Sequence, residues 1–131
     1  MSEVPDNYLY TREHEWVRHE DDGTVSIGIT DHAQEALGEL VFVEVPEEGA
    51  SFAVGDACAV VESVKAASDI YCPLAGTVTA ANTSLADEPE QVNVSPYDAG
   101  WIFKLQPDDA TLLDELMDVE DYNRFLAEME D

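Results

Sequence analysis

The stretch Val60 to Pro73 reads VVESVKAASDIYCP. A β-branched run climbs to Lys65, two alanines follow, and an apolar run descends to a proline. β-Branched residues fit strands, and a small-residue break between two such runs fits a reversal. The stretch therefore predicts a strand, a tight turn and a strand, with a lysine at the apex. An ammonium there stands in water on a stiff base, and Ala66 and Ala67 leave room for an enzyme to approach it. A lone surface lysine ordinarily only adds solubility. In this chain lysine is scarce, Lys65 and Lys104 being the only two, which makes the apex position informative.

Working outward, the same grammar repeats. Leu40 to Val45 is an apolar run ended by Pro46, Ala57 to Val61 leads into the apex, and Asp69 to Tyr71 leaves it. Pro73 to Gly76 is a turn, followed by a strand from Thr77 to Ala81. Trp16 to Arg18 and Thr24 to Ile29 flank Asp21, Asp22 and Gly23, the composition of a hairpin turn. Tyr8 to Tyr10 is a short opening strand, and Trp101 to Leu105 a last one after Gly100. Thr30 or Asp31 can cap a short helix running through Ala36, with Gly38 where it would stop. Asn82 to Gln91 is polar and irregular, with room for one helical turn. Short strands with turns roughly every 8–12 residues predict a β-sandwich or barrel. Connections this short leave no room for helical crossovers, so the strands should be antiparallel.

The tail changes period. Leu112, Leu113, Leu116 and Met117 fit one helical face, and Val119, Tyr122, Phe125, Leu126 and Met129 another. Asp109 and Asp118 are natural N-caps. Two helices over about 109–128 are expected to pack on the sheet and close an edge. With no long linker, residues 1–131 are expected to form one domain. Trp16 and Trp101, each in an apolar strand pattern, should anchor the core. Lys104 alternates with apolar neighbours and should point outward, without the turn and small flanks that would make it a modification site.

Composition sets the outer bounds. The chain has 131 residues, 30 of them acidic and 5 basic, for a formal charge of −25. So few cations cannot make a phosphate-binding face, so nucleic acid is not expected as a partner. No apolar run approaches the roughly 18 residues a membrane span needs. The opening MSEVPDNYLY lacks a basic start followed by an apolar stretch, so a cytoplasmic location is expected. Self-repulsion of this charge is relieved by salt, and with lysine nearly absent a salt-rich source is expected. Cys58 and Cys72 form no CxxC, and His14, His19 and His32 make no helical metal pair, so no metal site is expected. The two cysteines lie seven residues either side of position 65 and could face each other across a symmetric hairpin. Two buried thiols in a reducing compartment are the expectation.

ESVKAASD around Lys65 resembles the attachment site of the glycine cleavage system H-protein family. EHEWVR (Glu13 to Arg18), GITDHAQEALGELVFVEVPEEG (Gly28 to Gly49), NVSPYDAGWIFKLQP (Asn93 to Pro107) and the acidic helical tail resemble that family in the same order. The resemblance runs from about Tyr8 to Leu126. It implies a mainly β barrel-sandwich hybrid with short peripheral and C-terminal helices. It also implies a carrier with no catalytic residues, holding lipoic acid in amide linkage on Lys65. Glu62, Ser63, Val64 and Ala66 would be read by the lipoate-attaching enzyme. The arm from Cα to its five-membered disulfide is roughly a dozen bonds, on the order of 14 Å extended. Three stations are implied. A pyridoxal-phosphate glycine decarboxylase loads an aminomethyl group as the ring disulfide opens, and an aminomethyltransferase passes the one-carbon unit to tetrahydrofolate. Dihydrolipoyl dehydrogenase then reoxidises the dithiol. The carrier is expected to be a monomer.

The loaded adduct is a cationic amine that water would destroy, so it is expected to fold into a surface cleft near carboxylates. The family match makes the EHEW segment and the strand after the apex the walls, with Glu15 and Asp69 as the candidates. With 30 acids in the chain, either could equally be plain surface charge. Other carriers share the hairpin logic. Biotin attachment sites resemble methionine–lysine–methionine, and lipoyl domains of 2-oxo acid dehydrogenases resemble aspartate–lysine–alanine. Here the triplet is Val64, Lys65, Ala66, and neither alternative explains EHEW or the helical tail. A lipoyl relay or storage protein serving other enzymes is the remaining alternative.

Overall fold

The computed structural model describes residues 8–109, 113 and 116–129. Among these described residues, nine strands form two antiparallel sheets. They are β1 (Leu9–Tyr10), β2 (Glu15–His19), β3 (Val25–Ile29), β4 (Leu40–Glu44), β5 (Ser51–Phe52), β6 (Ala57–Ser63), β7 (Ala67–Tyr71), β8 (Gly76–Ala81) and β9 (Phe103–Pro107). One sheet has six strands in the order β1-β2-β3-β9-β8-β5, and the other has three in the order β4-β6-β7. This is the antiparallel, mainly β architecture that the short punctuated runs predict, in the barrel-sandwich arrangement.

The inner faces of the two sheets share one core that includes Ile27, Val43, Val61, Ile70, Val78 and Phe103, each at most 2% exposed. β3 is buried along its whole length, from Val25 to Ile29, which identifies it as the central strand. Gly28 on β3 sits opposite Trp16 on β2. A Cβ at Gly28 would lie 2.7 Å from the indole, so only a glycine lets the fully buried Trp16 pack flat against that strand. The Trp16 indole N–H donates to Pro96 O at 2.9 Å, satisfying its one polar atom.

Helix α1 (Asp31–Leu37) starts on Thr30, whose hydroxyl accepts from Ala33 N at 3.3 Å, and stops at Gly38 with φ 87. Both ends are those the residues predict. The irregular segment Asn82 to Gln91 holds one 3-10 turn at Thr83–Ala86, and helix α2 (Gln91–Val94) starts at its last residue. The Asn93 side chain ties α2 to the α1–β4 corner. It donates to Gly38 O at 2.8 Å and to Gln34 Oε1 at 2.9 Å, and it accepts from Leu40 N at 2.9 Å.

The tail corrects the two-helix expectation in part. Helix α3 (Val119–Met129) forms, with Asp118 Oδ1 accepting from Asp121 N at 2.8 Å as its cap. Met117 is not helical. It makes an isolated bridge to Tyr10, with Tyr10 N donating to Met117 O at 2.8 Å and Met117 N to Tyr10 O at 2.9 Å. An edge strand's open backbone groups outcompete helix continuation here. The remainder of the first helix expected over 109–117 falls largely outside the described residues. Trp101 is half-buried rather than a core anchor, because its strand register begins at Phe103 and leaves it at the rim of the aromatic cluster. Lys104, partly exposed, lies over the Trp101 ring with Nζ 5.7 Å from its centroid.

Candidate functional site

β6 and β7 pair from Ala57↔Tyr71 to Glu62↔Ala67. That register leaves Ser63 to Ala66 as the turn, with Lys65 in it as predicted. Ser63 N donates to Ala66 O at 2.7 Å, closing the turn. The Ser63 hydroxyl accepts from Lys65 N at 3.3 Å and Ala66 N at 3.2 Å. It is buried while the four residues after it are exposed. One short side chain thus satisfies the amides that a tight turn strands, in the manner of other serine turns. Val64, 83% exposed, packs on nothing large, and Glu62 is half-buried on β6.

Lys65 is exposed and has no ion pair among the described residues. Its aliphatic stem lies over Gly38, where a Cβ would sit 3.5 Å from Cε. From that corner a cleft of about 190 Å³ runs between α1, the segment Glu13 to Glu15, and Ser68 to Ile70. Leu37, the neighbour of Gly38, is among its lining residues. Ile29, Ala33 and Ile70 supply apolar walls. Glu15 and Asp69, the two expected carboxylates, both line it. Their environments differ: Asp69 is exposed, whereas Glu15 is 2% exposed and is not the surface acid its composition allowed.

A tight turn drives Glu15 inward. Thr11 N donates to Glu15 O at 3.0 Å, and the Thr11 hydroxyl accepts from Glu13 N and Glu15 N. His14 sits at φ 65, the one non-glycine residue with positive φ among those described. This left-handed conformation costs about 1 kcal/mol or more. The cost is offset by the His14 side chain, whose Nδ1 shares a 2.8 Å hydrogen bond with the Tyr122 hydroxyl. Tyr122 in turn shares a 2.8 Å bond with Thr30 Oγ1, the α1 cap, and its ring stacks on Tyr10 at 4.5 Å. Helix α3 thereby joins both walls of the cleft. The sequence reading missed His14, Thr11 and Tyr122. The signal was present only as EHEW and an apolar helical stripe, neither of which reports a hydrogen bond between residues so distant in the chain.

Glu15 Oε2 accepts from Tyr71 N at 2.7 Å, and Oε1 accepts from Thr11 Oγ1 at 3.2 Å. No cation pairs with it among the described residues. Burial therefore pushes its carboxyl up to about 7, against the lowering effect of the Tyr71 amide. Burial and the neighbouring His32 hold His14 down at about 4, so its imidazole is neutral. The His14 and His32 rings lie 4.5 Å apart, yet no metal-binding group of three ligands occurs among the described residues. Glu15 also borders a second cavity of about 360 Å³, lined by residues such as Tyr10, Arg12, Tyr71 and Met117. That larger cavity is not lined by α1 or the apex. Cys58 and Cys72 are buried, free thiols. Cys58 Sγ donates to Ile70 O at 3.3 Å and Cys72 Sγ to Leu74 O at 2.9 Å, and the neighbouring Cys72 together with burial pushes the Cys58 thiol up. No helix among the described residues is long and apolar enough to cross a membrane.

Residues 8–129 match the model of the glycine cleavage H-protein family. The chain is 58% identical over 130 residues to the glycine cleavage system H protein of Alkalilimnicola ehrlichii, covering 99% of this chain and 100% of that one. It is 56% identical to the protein of the same name from Halorhodospira halophila, covering 98% of each. Enteric relatives such as that of Salmonella typhimurium are 53% identical, and these matches do not establish the salt-rich source expected from charge. The crystal structure of a glycine cleavage system H protein from Mycobacterium marinum superposes with a TM-score of 0.83 at 38% identity, over 92% of this chain and 97% of that one. Fold, sequence and an apex lysine on a turn converge, and the chain belongs to the glycine cleavage H-protein family, whose members are lipoyl carriers rather than catalysts.

Proposed function

We propose that Lys65 is the lysine of this carrier that takes the lipoyl group in the glycine cleavage system. The observation that carries the reading is an exposed ammonium without an ion pair among the described residues, held at the tip of a hairpin whose turn Ser63 fixes. An amide can form on such a nitrogen without breaking any structure. Once attached, the group supplies a strained disulfide that accepts an aminomethyl unit and is later regenerated. The partners are a glycine decarboxylase, an aminomethyltransferase, a dihydrolipoyl dehydrogenase and the enzyme that attaches lipoate. Recognition by the last is assigned to Glu62, Ser63, Val64 and Ala66, with Ser63 acting through the turn it holds. Residues 1–131 act as one domain, as a cytoplasmic monomer.

Glu15 is the receptor for the loaded amine. A carboxyl buried on a cleft wall with two hydrogen bonds and, among the described residues, no counter-cation is costly to ionise. A cationic amine entering the cleft supplies the missing charge in a site where water screens it poorly. Asp69, on the rim of the same cleft, draws the amine in from solvent. Ile29, Ala33, Leu37 and Ile70 exclude water around it.

Reconstitution with the three partner enzymes tests this. Lys65→Arg is expected to abolish glycine cleavage, while Lys104→Arg keeps it. An active Lys65→Arg protein refutes the assignment. Glu15→Gln and Asp69→Asn should shorten the lifetime of the loaded aminomethyl group, with the larger effect at Glu15. Unchanged lifetimes remove the receptor role.

A further inference from the structure

Strand β4 contains a bulge beside the apex. Leu40 pairs with Ser63 and Phe42 with Glu62, so Val41 is an extra residue between two consecutive partners. Regular alternation would turn Phe42 to the same side as buried Leu40. The bulge instead leaves Val41 and Phe42 both outside, 54% and 43% exposed, with Leu40 and Val43 both inside. Across from them, one residue beyond Ser63, Val64 is 83% exposed. Single exposed apolar residues need no explanation. Three grouped beside one hairpin tip, with Phe42 turned out by a bulge to join Val41, form a patch that a lone carrier has no use for. Acidic side chains surround it, with Glu39 and Glu44 exposed and Glu62 half-buried. Strands β4, β6 and β7 carry no Lys or Arg.

We propose that Val41, Phe42 and Val64 form the docking surface for the enzyme that acylates Lys65, whose matching face has an apolar centre and a basic rim. This rests on the reading of Lys65 as the attachment point, and distance selects the occupant. The attaching enzyme must act on Nζ itself. There the amide bond forms as the bond from the activated acyl carbon to its leaving group breaks, and the amine gives up a proton. Its active-site rim must therefore meet the hairpin tip, where Val41 and Phe42 lie about 5 Å across the strand pair from Glu62 and Ser63. The cleavage enzymes act at the far end of an arm on the order of 14 Å long. They reach their group without covering the base of the hairpin.

The test uses purified lipoate-attaching enzyme with lipoyl adenylate as donor, and the variants Phe42→Ser, Val41→Ser/Phe42→Ser, Val64→Ser and Phe42→Leu. The serine variants are expected to raise KM for lipoylation at least tenfold with kcat within twofold, and Phe42→Leu to restore most of it. After prolonged incubation to full lipoylation, the same variants should show KM values within twofold of the unsubstituted protein with glycine decarboxylase and dihydrolipoyl dehydrogenase. An unchanged lipoylation KM overturns the proposal. So does an equal rise in KM for the cleavage enzymes, which would make the patch their docking surface. Failure of the unsubstituted protein to take lipoate at Lys65 is a different result, refuting the attachment site itself.

Discussion

From Val64 to Asp69 the apex hairpin is exposed without a break, whereas Glu15, Trp16 and Val17 on β2 are all buried. Among the described residues, neither Lys65 in the first region nor Glu15 in the second has an ion pair. Water solvates the lysine, so leaving it unpaired costs nothing and keeps it reactive toward an outside enzyme. Glu15 lacks that solvent, so its charge is disfavoured until a ligand brings the opposite one. On the roles proposed for them, the difference teaches where a carrier keeps its handle and where it keeps its receptor. Lys65 sits on a turn stabilised by one serine. Glu15 is held by a network running from Thr11 through His14 and Tyr122 to the cap of α1.

The comparison breaks first at Gly28. Gly28→Ala forces a methyl to within 2.7 Å of the Trp16 indole. Overpacking a core in this way costs about 1–3 kcal/mol, and the flat rings leave little room to relax, so the upper end is expected. Thermal or urea unfolding should show the loss, while the Lys65 amine keeps its solution reactivity. A protein of unchanged stability would mean that β2 and β3 separate freely.

Glu15→Gln sharpens the electrostatic half. The folded carboxyl titrates near 7 and the unfolded one near 4.5. Between those values the native state binds the extra proton, so stability is lost as pH rises through that window. Above pH 7 the loss is complete and on the order of 3 kcal/mol. Urea unfolding of the two proteins should coincide near pH 4 and diverge upward, with the glutamine variant more stable at pH 8. A difference that does not change with pH contradicts the burial argument.

Tyr122→Phe removes the hydroxyl shared by His14 and Thr30 but keeps the ring stacked on Tyr10. Half-buried His14 and fully buried Thr30 each lose a bond, for about 1–2 kcal/mol. Hydrogen exchange should accelerate in α3 and at the start of α1 together. Acceleration in α3 alone would show that the two walls are not coupled. The smallest effect is expected at Ser63→Ala, which removes the bonds the hydroxyl accepts from the Lys65 and Ala66 amides and the one it donates to Ala66 O. Global stability should fall by less than about 1 kcal/mol, with faster exchange confined to those two amides.

The apex was legible because its signals are local. A β-branched run, small residues and a return run define a hairpin without reference to the rest of the chain. The Asp-Asp-Gly turn, the Thr30 cap and the Gly38 stop were legible for the same reason. β5 at Ser51–Phe52 was missed because two residues carry no period, and α2 because four residues carry no stripe. β9 was read early, at Trp101, because Gly100 marks a break just before it, yet the strand runs on to Pro107, which pairs opposite Gly76 at the strand end. The bulge at Val41 depends on the register of β4 against β6, which LVFVE alone does not contain. Glu15 was singled out by family resemblance, but its burial arises from Tyr71, 56 residues away. Non-local contacts decide both features, and no local pattern encodes them.

The central claim is that Lys65 carries the lipoyl group, and intact mass with peptide mapping on protein lipoylated by its attaching enzyme tests it most directly. The account predicts a single lipoyl amide, on the peptide containing Lys65, with Lys104 unmodified. A lipoyl group on Lys104, or a biotinyl adduct on Lys65 instead, would contradict it.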